Sequence, residues 1–283
     1  MDKMTWEQAV SWLRCQPDQA ELVRACYYDD PLIDAAKRFA DSGEWQGVRT
    51  LLSGRSGRAL DLGAGRGISS FALARDGWRV TALEPDPSGL VGAGAIRSLA
   101  SETGLAITVE EQYGERLPFS DGAFDLVHGR QVLHHAKDLE GVCREVGRVL
   151  KHGGLFIATR EHVISSPDDL GVFLDHHPLH QFYGGENAYL LRQYLSAITG
   201  GGLSVQRVMG PYDSPINYFP MTDDQWRREC LRPLSRMVGF RNASGLADDR
   251  NPVGRWLLRM LAAWRSRRCE VPGRPYSFVA NKP

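Results

Sequence analysis

The sequence predicts an α/β fold in which a mainly parallel sheet is covered by helices. The apolar run 58–62 ends in a glycine turn, and the stretch 68–76 after it has the apolar spacing of a helix. A second strand-like run follows at 78–83, and an amphipathic stretch at 139–150 precedes the strand-like run 155–158. Strands that alternate with helices form a parallel sheet, because each helix carries the chain back to the start of the next strand.

The turn after the first strand has the sequence Asp61-Leu62-Gly63-Ala64-Gly65-Arg66-Gly67. Glycine adopts positive φ readily, and it lets a ligand approach main-chain N–H groups that a β-carbon would shield. Dinucleotide-binding folds usually show G-x-G-x-x-G, whereas this turn has G-x-G-x-G. The turn therefore predicts a nucleotide-like ligand at a strand-to-helix junction, with an unusual dinucleotide turn as the alternative.

A second acid lies where a nucleotide-like ligand would need one. Glu84 ends the strand-like run 78–83, about twenty residues beyond the glycines, and an acid at that offset reaches a ribose diol. The alternative is a solvated acid in a βα loop. Because the glycine turn precedes it, we interpret Glu84 as the ribose ligand.

With these motifs the sequence resembles the class I S-adenosylmethionine-dependent methyltransferases, in particular the methyltransferase type 11 or UbiE-like subgroup. Residues 113–127 are similar to the family's D-A-E-x-L-P-F-x-D-x-x-F-D-x-V segment, and residues 129–135 to its S-x-x-L-H-H turn. Residues 150–154 resemble its Leu-Lys-x-Gly-Gly helix stop, so the likeness covers about residues 56–160. It implies a Rossmann-like, seven-stranded, mainly parallel sheet in three α/β/α layers, and S-adenosyl-L-methionine as the cofactor.

The resemblance also implies which residues contact the cofactor. Tyr113 stands where the family has its adenine-binding Asp, so the exocyclic amine would meet Glu115 or a backbone carbonyl, and Gly114 would offer its N–H to the ring. The expected cofactor neighbours are Asp61, Gly63, Ala64, Gly65, Gly67, Glu84, Pro85, Tyr113, Gly114, Glu115, Arg130 and Gln131.

The rest of the chain adds to a minimal methyltransferase domain. Residues 1–54 are interpreted as an N-terminal helical cap and residues 55–283 as the methyltransferase domain. Two insertions, 161–186 and 211–274, are expected to form a lid over the acceptor. The second insertion separates the last two strands and contains two helical patterns.

Titratable residues accumulate in the first insertion, and three interpretations compete for them. The insertion is an acceptor lid with a general base, a divalent-metal site formed by His176, His177, His180 and a carboxylate, or a polar structural loop. We favour the first, because methylating a hydroxyl requires a proton acceptor and histidine titrates near neutral pH. The catalytic candidates are His135, His177, His180 and Glu161. No metal is assigned, since adjacent histidines diverge and an H-E-x-x-H spacing is lacking.

The amino-acid composition limits which classes of binding partner and which location are expected. The net charge is zero, with 34 basic and 34 acidic residues, which argues against a nucleic-acid partner. The five cysteines have no close pairing, so reduced thiols and a cytoplasmic location are expected. Without an apolar run long enough to span a bilayer, we expect no stable membrane insertion. A small-molecule acceptor is predicted, and a homodimer is left open.

The function predicted from these residues is O-methylation of a small molecule by in-line displacement with a histidine base. Sugar or secondary-metabolite hydroxyls are favoured as acceptors. N- or C-methylation of a metabolite or quinone-type lipid is an alternative. An NAD-type oxidoreductase and a catalytically silent cofactor-binding scaffold are the rivals from other classes.

Overall fold

A computed structural model describes residues 4–248 and 250–283 as an α/β fold with one central sheet. The strand order is β3-β2-β1-β4-β5-β8-β7, and the short β6 pairs with β5. The strands are β1 Arg58–Leu62, β2 Arg79–Leu83, β3 Ile107–Glu110, β4 Phe124–Arg130, β5 Leu150–Ile164, β6 Tyr189–Leu190, β7 Ser204–Met209 and β8 Arg274–Asn281. Strands β1 to β6 pair in parallel, and β8 runs antiparallel to β5 and β7. The predicted mainly parallel sheet is confirmed, with β6 as an added strand.

Helices cover both faces of this sheet. They are α1 Trp6–Arg14, α2 Ala20–Ala25, α3 Leu32–Ala40, α4 Gly43–Leu52, α5 Ile68–Arg75, α6 Ala93–Thr103, α7 Leu139–Val149, α8 Asp169–His176, α9 His180–Tyr183, α10 Leu191–Gly200, α11 Pro215–Tyr218, α12 Asp223–Val238, α13 Phe240–Leu246 and α14 Pro252–Arg267. Helices α11 to α14 lie between the last two strands, and α12 and α14 coincide with the two helical patterns expected in the second insertion. Within the described residues, no helix combines the length and apolarity that a membrane span requires.

The core has two halves, one on each face of the sheet. On one face Val146 of α7 and Tyr194 of α10 are fully buried with strand residues. On the other face Phe39, Trp45 and Phe71 from α3, α4 and α5 share one apolar cluster. Helices α3 and α4, although they precede the first strand, are therefore part of the three-layer core.

Helices α1 and α2 pack differently from α3 and α4. Their Val10, Leu13 and Val23 form a separate apolar cluster with Leu179 and Phe182, next to and within α9. Two segments that are distant in sequence thus meet and cover the carboxyl edge of the sheet. From here on, the cap means α1, α2 and α9, and no longer the whole of residues 1–54.

Strand β5 differs from the sequence-based expectation at both ends. It begins at Leu150, directly after α7, so the segment 150–154, which resembles a helix stop, lies within the strand, where Gly153 turns the backbone at φ +73°. It also continues to Ile164, because β8 pairs with its last residues. Glu161 and His162, expected in a loop, are therefore strand residues.

Helix α10 begins only after a short strand and an extended connection. Leu190 is its N-cap residue, and α10 runs from Leu191 to Gly200. Tyr189 and Leu190 pair with the end of β5 instead of entering the helix. Residues 184–188 are thus a connection that leads from the cap back to the sheet.

Candidate active site

A cavity of about 590 Å³ lies at the carboxyl edge of the sheet. The strand register explains its position, since Leu62 pairs with both Leu83 and Gly129. The residues that follow these strand ends, such as Gly63 and Glu84, therefore emerge side by side. The volume suits a small ligand and is in the range of ordinary ligand pockets.

The glycine turn has the conformation that its sequence requires. Gly63, Gly65 and Gly67 have φ values of +61°, +53° and +83°. A β-carbon on Gly63 would lie 2.2 Å from the Cγ2 atom of Val132, and one on Gly67 would lie 3.1 Å from Ile96. Only glycine fits these positions without displacing neighbours. The turn thereby keeps its main chain close to the cavity, as a cofactor cradle needs.

Glu84 is held by the same turn. Its Oε2 accepts a 2.7 Å hydrogen bond from the N–H of Gly65, and its Oε1 accepts one of 3.0 Å from the N–H of Asp86. Burial raises the pKa of Glu84 to about 6, despite these two hydrogen bonds. The carboxylate is fixed at the cavity wall with lone pairs remaining, so it can accept from a diol.

Most of the expected cofactor neighbours line the cavity. Asp61 and Gly67 lie outside its lining. Asp61 is 1% exposed and accepts from the hydroxyl of Ser70 at 2.6 Å, with its other oxygen 3.2 Å from Nδ1 of His128. It supports the turn from beneath, and Gly67 forms the N-cap of α5. The lining residues are Gly63, Ala64, Gly65, Glu84, Pro85, Tyr113, Gly114, Glu115, Arg130 and Gln131.

A buried ion-pair network forms another part of the wall. Nε and Nη2 of Arg130 donate to the two carboxylate oxygens of Glu44 at 2.6 and 3.1 Å. Arg160 lies 3.9 Å from the same carboxylate. Burial alone would raise the pKa of Glu44, but the two guanidinium groups lower it below the usual value. Two cations against one anion leave net positive charge beside the cavity, which favours an anionic ligand group.

Sequence reasoning missed Glu44, which belongs to α4 of the predicted cap. Its partners Arg130 and Arg160 come from β4 and β5, so the contact depends on how α4 packs on the sheet. The positive φ of Arg160, +59°, and of Gln131, +53°, marks two non-glycine residues in a costly backbone conformation beside this network.

Glu161 lies beneath the cavity and not in its lining. Oε1 accepts from the N–H groups of Val132 and Leu133 at 3.1 and 3.2 Å. Oε2 accepts from the N–H of His134 at 3.1 Å and pairs with Nδ1 of that histidine at 2.8 Å. Expected as a catalytic residue, Glu161 instead fixes the turn after β4 and orients His134.

Glu186 is the centre of a histidine cluster. Its carboxylate lies 3.6 Å from Nε2 of His134, 3.6 Å from Nε2 of His177 and 4.0 Å from Nε2 of His135. The hydroxyl of Tyr183 donates to the same carboxylate. Burial would raise the pKa of Glu186, but the histidines lower it well below its usual range. We call His134, His135, His162, His177 and Glu186 the histidine cluster; all five line the cavity.

Hydrogen bonds on Nδ1 orient three of these rings. Nδ1 of His134 faces the Glu161 carboxylate, Nδ1 of His135 the carbonyl of Gly185 at 2.9 Å, and Nδ1 of His162 the carbonyl of Gly273 at 2.9 Å. Because these oxygens only accept, each Nδ1 carries a proton. In the neutral rings of His135 and His162, Nε2 is then the nitrogen free to act on a ligand, whereas Nε2 of His134 faces the carboxylate of Glu186 at 3.6 Å.

The histidines differ in charge. Burial lowers the pKa of His162 to about 3, and it also lowers those of His135 and His177. Burial acts in the same direction on His134, but Glu161 and Glu186 outweigh it and raise its pKa to about 9. One imidazolium among neutral imidazoles therefore lies between the two carboxylates of Glu161 and Glu186 at neutral pH and offsets one of their two negative charges.

Only some of the histidines predicted from the sequence to be catalytic line the cavity. His135 and His177 line the cavity, whereas His180 begins α9 outside the lining, with its Nδ1 buried. His176 is exposed and bonds to the carbonyl of Val172. Sequence reasoning did not choose His162 or Glu186 as site residues. Their only sequence signal was a place in the run of titratable residues after β5.

Comparisons with known proteins identify the family of this chain. Residues 60–158 match the family described as "Methyltransferase domain". The chain is 37% identical over 110 residues to a ubiquinone biosynthesis O-methyltransferase of Methylocella silvestris, which covers 38% of this chain and 42% of that protein. It is 31% identical over 187 residues to the uncharacterized methyltransferase YcgJ of Bacillus subtilis, with 63% of this chain and 67% of that protein covered.

A solved structure extends the likeness to the whole fold. The geranyl diphosphate C-methyltransferase of Streptomyces coelicolor, solved with S-adenosyl-L-homocysteine among its ligands, has a TM-score of 0.58. The likeness covers 96% of this chain and 87% of that one at 14% identity, so it concerns the fold alone. The match to the Methylocella silvestris enzyme spans about two fifths of that protein's length.

The fold and the glycine-turn site define a Rossmann-like S-adenosylmethionine-binding enzyme fold. The chain belongs to the class I S-adenosylmethionine-dependent methyltransferases. The cofactor of this family is S-adenosyl-L-methionine, which displaces the interpretation as an NAD-type oxidoreductase.

Proposed function

We propose that this protein transfers a methyl group from S-adenosylmethionine to a hydroxyl of a small molecule, with a histidine as the base. The observation that carries the proposal is the shared cavity: the glycine turn and Glu84 line it together with the imidazoles of His135 and His177. A methyl donor and a proton acceptor in one cavity are what in-line methylation of a hydroxyl needs.

Cofactor binding is assigned to the turn, to Glu84 and to Arg130. Gly63 and Gly65 bring main-chain groups close to the ligand, and Glu84 accepts from the ribose hydroxyls. Arg130, one of the two cations that share the single carboxylate of Glu44, suits the carboxylate of the methionine part. When bound, S-adenosylmethionine supplies an electrophilic methyl group on its sulfonium.

The proton acceptor is assigned to Nε2 of His135, with His177 as the second candidate. The Gly185 carbonyl holds Nδ1 of His135 in its protonated form, so Nε2 has the free lone pair. Glu186 lies 4.0 Å from Nε2 and would stabilise the imidazolium that forms. His135 thus takes the hydroxyl proton as the methyl group is transferred, and releases it to water afterwards.

The acceptor is expected to be small because the cap closes over the cavity. Trp6, Leu13 and Leu22 of α1 and α2, and Leu179 beside α9, all line it. Sugar and secondary-metabolite hydroxyls fit a wall with histidine and carboxylate groups. N- or C-methylation of a metabolite or quinone-type lipid is kept as the alternative; an amine acceptor requires no base if it arrives deprotonated.

The test is a labelled-methyl screen over metabolite extracts, followed by kinetics with the acceptor found. We expect His135→Ala to lower kcat by about 100-fold, with unchanged affinity for S-adenosylhomocysteine and partial rescue by added imidazole. His177→Ala and His180→Ala are measured in parallel. The exposed His152, bonded to the carbonyl of Pro283, gives the matched control His152→Ala. Full kcat in all three variants would contradict a histidine base and favour an amine acceptor.

A further inference from the structure

We propose that His134, His162 and Glu186 bind a divalent transition-metal ion at the wall of the cavity. One potential ligand atom from each residue lies within 4.8 Å of the other two. The site goes beyond the proposed methyl transfer, and it differs from the set His176, His177 and His180 considered from the sequence.

The ligands come from three separate parts of the fold. His134 lies in the turn after β4, His162 in the end of β5, and Glu186 in the connection between α9 and β6. The pairing of β8 with the end of β5 fixes the His162 backbone, while Glu161 anchors the turn that carries His134. Two of the three ligands are thus held by rigid elements, as a preorganised metal site requires.

The hydrogen bonds around the histidines follow the pattern of metal ligands. A metal-binding histidine typically donates its other ring N–H to a carboxylate or a backbone carbonyl, which fixes the ring and raises its basicity. Nδ1 of His134 meets the Glu161 carboxylate at 2.8 Å, and Nδ1 of His162 meets the Gly273 carbonyl at 2.9 Å. Both rings are thereby oriented with Nε2 as the remaining donor.

The separations are close to those of a bound ion. Zinc bonds of about 2.0–2.1 Å in tetrahedral geometry put the ligand atoms roughly 3.4 Å apart. Nε2 of His134 and Oε2 of Glu186 are 3.6 Å apart, and both side chains are nearly fully buried. Small rotations of the side chains would bring the wider pairs to this spacing.

The donor set indicates the class of metal. Two imidazoles and one carboxylate suit zinc, iron, cobalt or manganese, whereas magnesium and calcium prefer oxygen ligands only. Glu161 adds a second buried carboxylate behind His134, which favours a dication at this position. The alternative is a metal-free network in which the His134 imidazolium alone bridges the two carboxylates.

The site would be open on one side. All three ligands line the cavity, so the remaining coordination positions of the ion face the space where an acceptor binds. Such an ion acts as a Lewis acid toward an acceptor oxygen and orients it. His135, next in the chain, remains available as the proton acceptor.

Cobalt binding tests the site without any turnover. The full-length protein is treated with a chelator, dialysed and titrated with Co²⁺, whose visible absorption reports coordination, and then with Zn²⁺ as a competitor. We expect a saturable band at one ion per chain, its displacement by Zn²⁺, and at least about 10-fold weaker binding in His162→Ala and in the isosteric Glu186→Gln. His152→Ala should bind as the wild type does.

Affinity for S-adenosylhomocysteine, measured in the same samples, reports that each variant is folded. Wild-type protein that binds this cofactor product but gives no saturable band would overturn the proposal, as would unchanged Co²⁺ affinity in both Glu186→Gln and His162→Ala. Because cofactor affinity and methyl transfer are measured separately, failure of the metal site leaves the proposed function to its own test.

Discussion

Among single residues, Gly63 shows how the absence of a β-carbon allows the glycine turn to form. Gly63 combines a φ of +61° with the close approach of Val132, so a side chain there costs both backbone strain and overlap. Gly77 has a φ of +92° but open space around its Cα. Comparing a side chain at Gly63 with one at Gly77 therefore distinguishes the free-energy cost of the positive φ from that of steric overlap.

Gly63→Ala should destabilise the protein by at least about 2 kcal/mol more than Gly77→Ala, since overpacking adds to the shared backbone cost. The affinity for S-adenosylhomocysteine should fall in the first variant only. Urea unfolding and calorimetry measure both quantities. Adding Val132→Ala should recover part of the loss, because it removes the methyl group that the new β-carbon meets. Equal losses at the two glycines would mean that Val132 does not restrict the turn.

Glu84 gives a prediction about pH at the same scale. Its pKa of about 6 lies above the ordinary 4.5, because burial disfavours the carboxylate. If the ribose hydroxyls donate to the carboxylate, protonation removes an acceptor, so affinity for S-adenosylhomocysteine falls as the pH drops through 6. We expect about a tenfold loss between pH 7 and pH 5 by calorimetry. Glu84→Gln should bind weakly with little pH dependence in this range; a wild-type affinity that stays constant to pH 5 would exclude this role.

At the scale of elements, Arg66 connects the glycine turn to the cap. Its side chain is 6% exposed, and Nη1 donates to the carbonyls of Tyr27 and Asp29 at 2.9 and 3.1 Å. A second branch pairs with Asp30, which also pairs with Arg14 of α1. The position of the cap therefore depends on a residue within the cofactor turn.

Arg66→Ala should loosen α1 and α2 while the sheet stays folded, since the buried carbonyls lose their donor. Hydrogen exchange should rise in residues 6–30 and remain unchanged in β4 and β5. Arg207, exposed on β7, provides the control Arg207→Ala. Uniformly faster exchange would show that the variant loses global stability, and unchanged exchange in the cap would show that Arg66 does not hold it.

The elements also explain what the sequence could and could not predict. The glycine turn and Glu84 were predictable because a few neighbouring residues determine the local backbone there. The histidine cluster was not, since it forms only when β8 extends β5 and the connection at 184–188 returns to the sheet. Glu44 likewise meets Arg130 only through the packing of α4, 86 residues away in sequence. Contacts made by long-range packing leave no local spacing in the chain.

At the scale of the whole molecule, the cavity is a junction of segments from nearly the entire chain. Residues of α1, the glycine turn, the turn after β4, the end of β5 and Phe219 all line it. A ligand that fills it contacts the cap, the glycine turn and the carboxyl edge of the sheet at the same time. Binding should therefore stabilise the fold as a unit and not one segment of it.

S-adenosylhomocysteine at 100 times its Kd should raise the free energy of unfolding by about 2.7 kcal/mol, as mass action requires for a ligand that binds the folded state. For a chain of this size we expect Tm to rise by roughly 4–5 °C in a single transition. NADH at the same concentration should leave Tm unchanged, and Glu84→Gln should lose most of the shift. Two separate transitions with S-adenosylhomocysteine bound, only one of them shifted, would mean that the ligand does not join these segments.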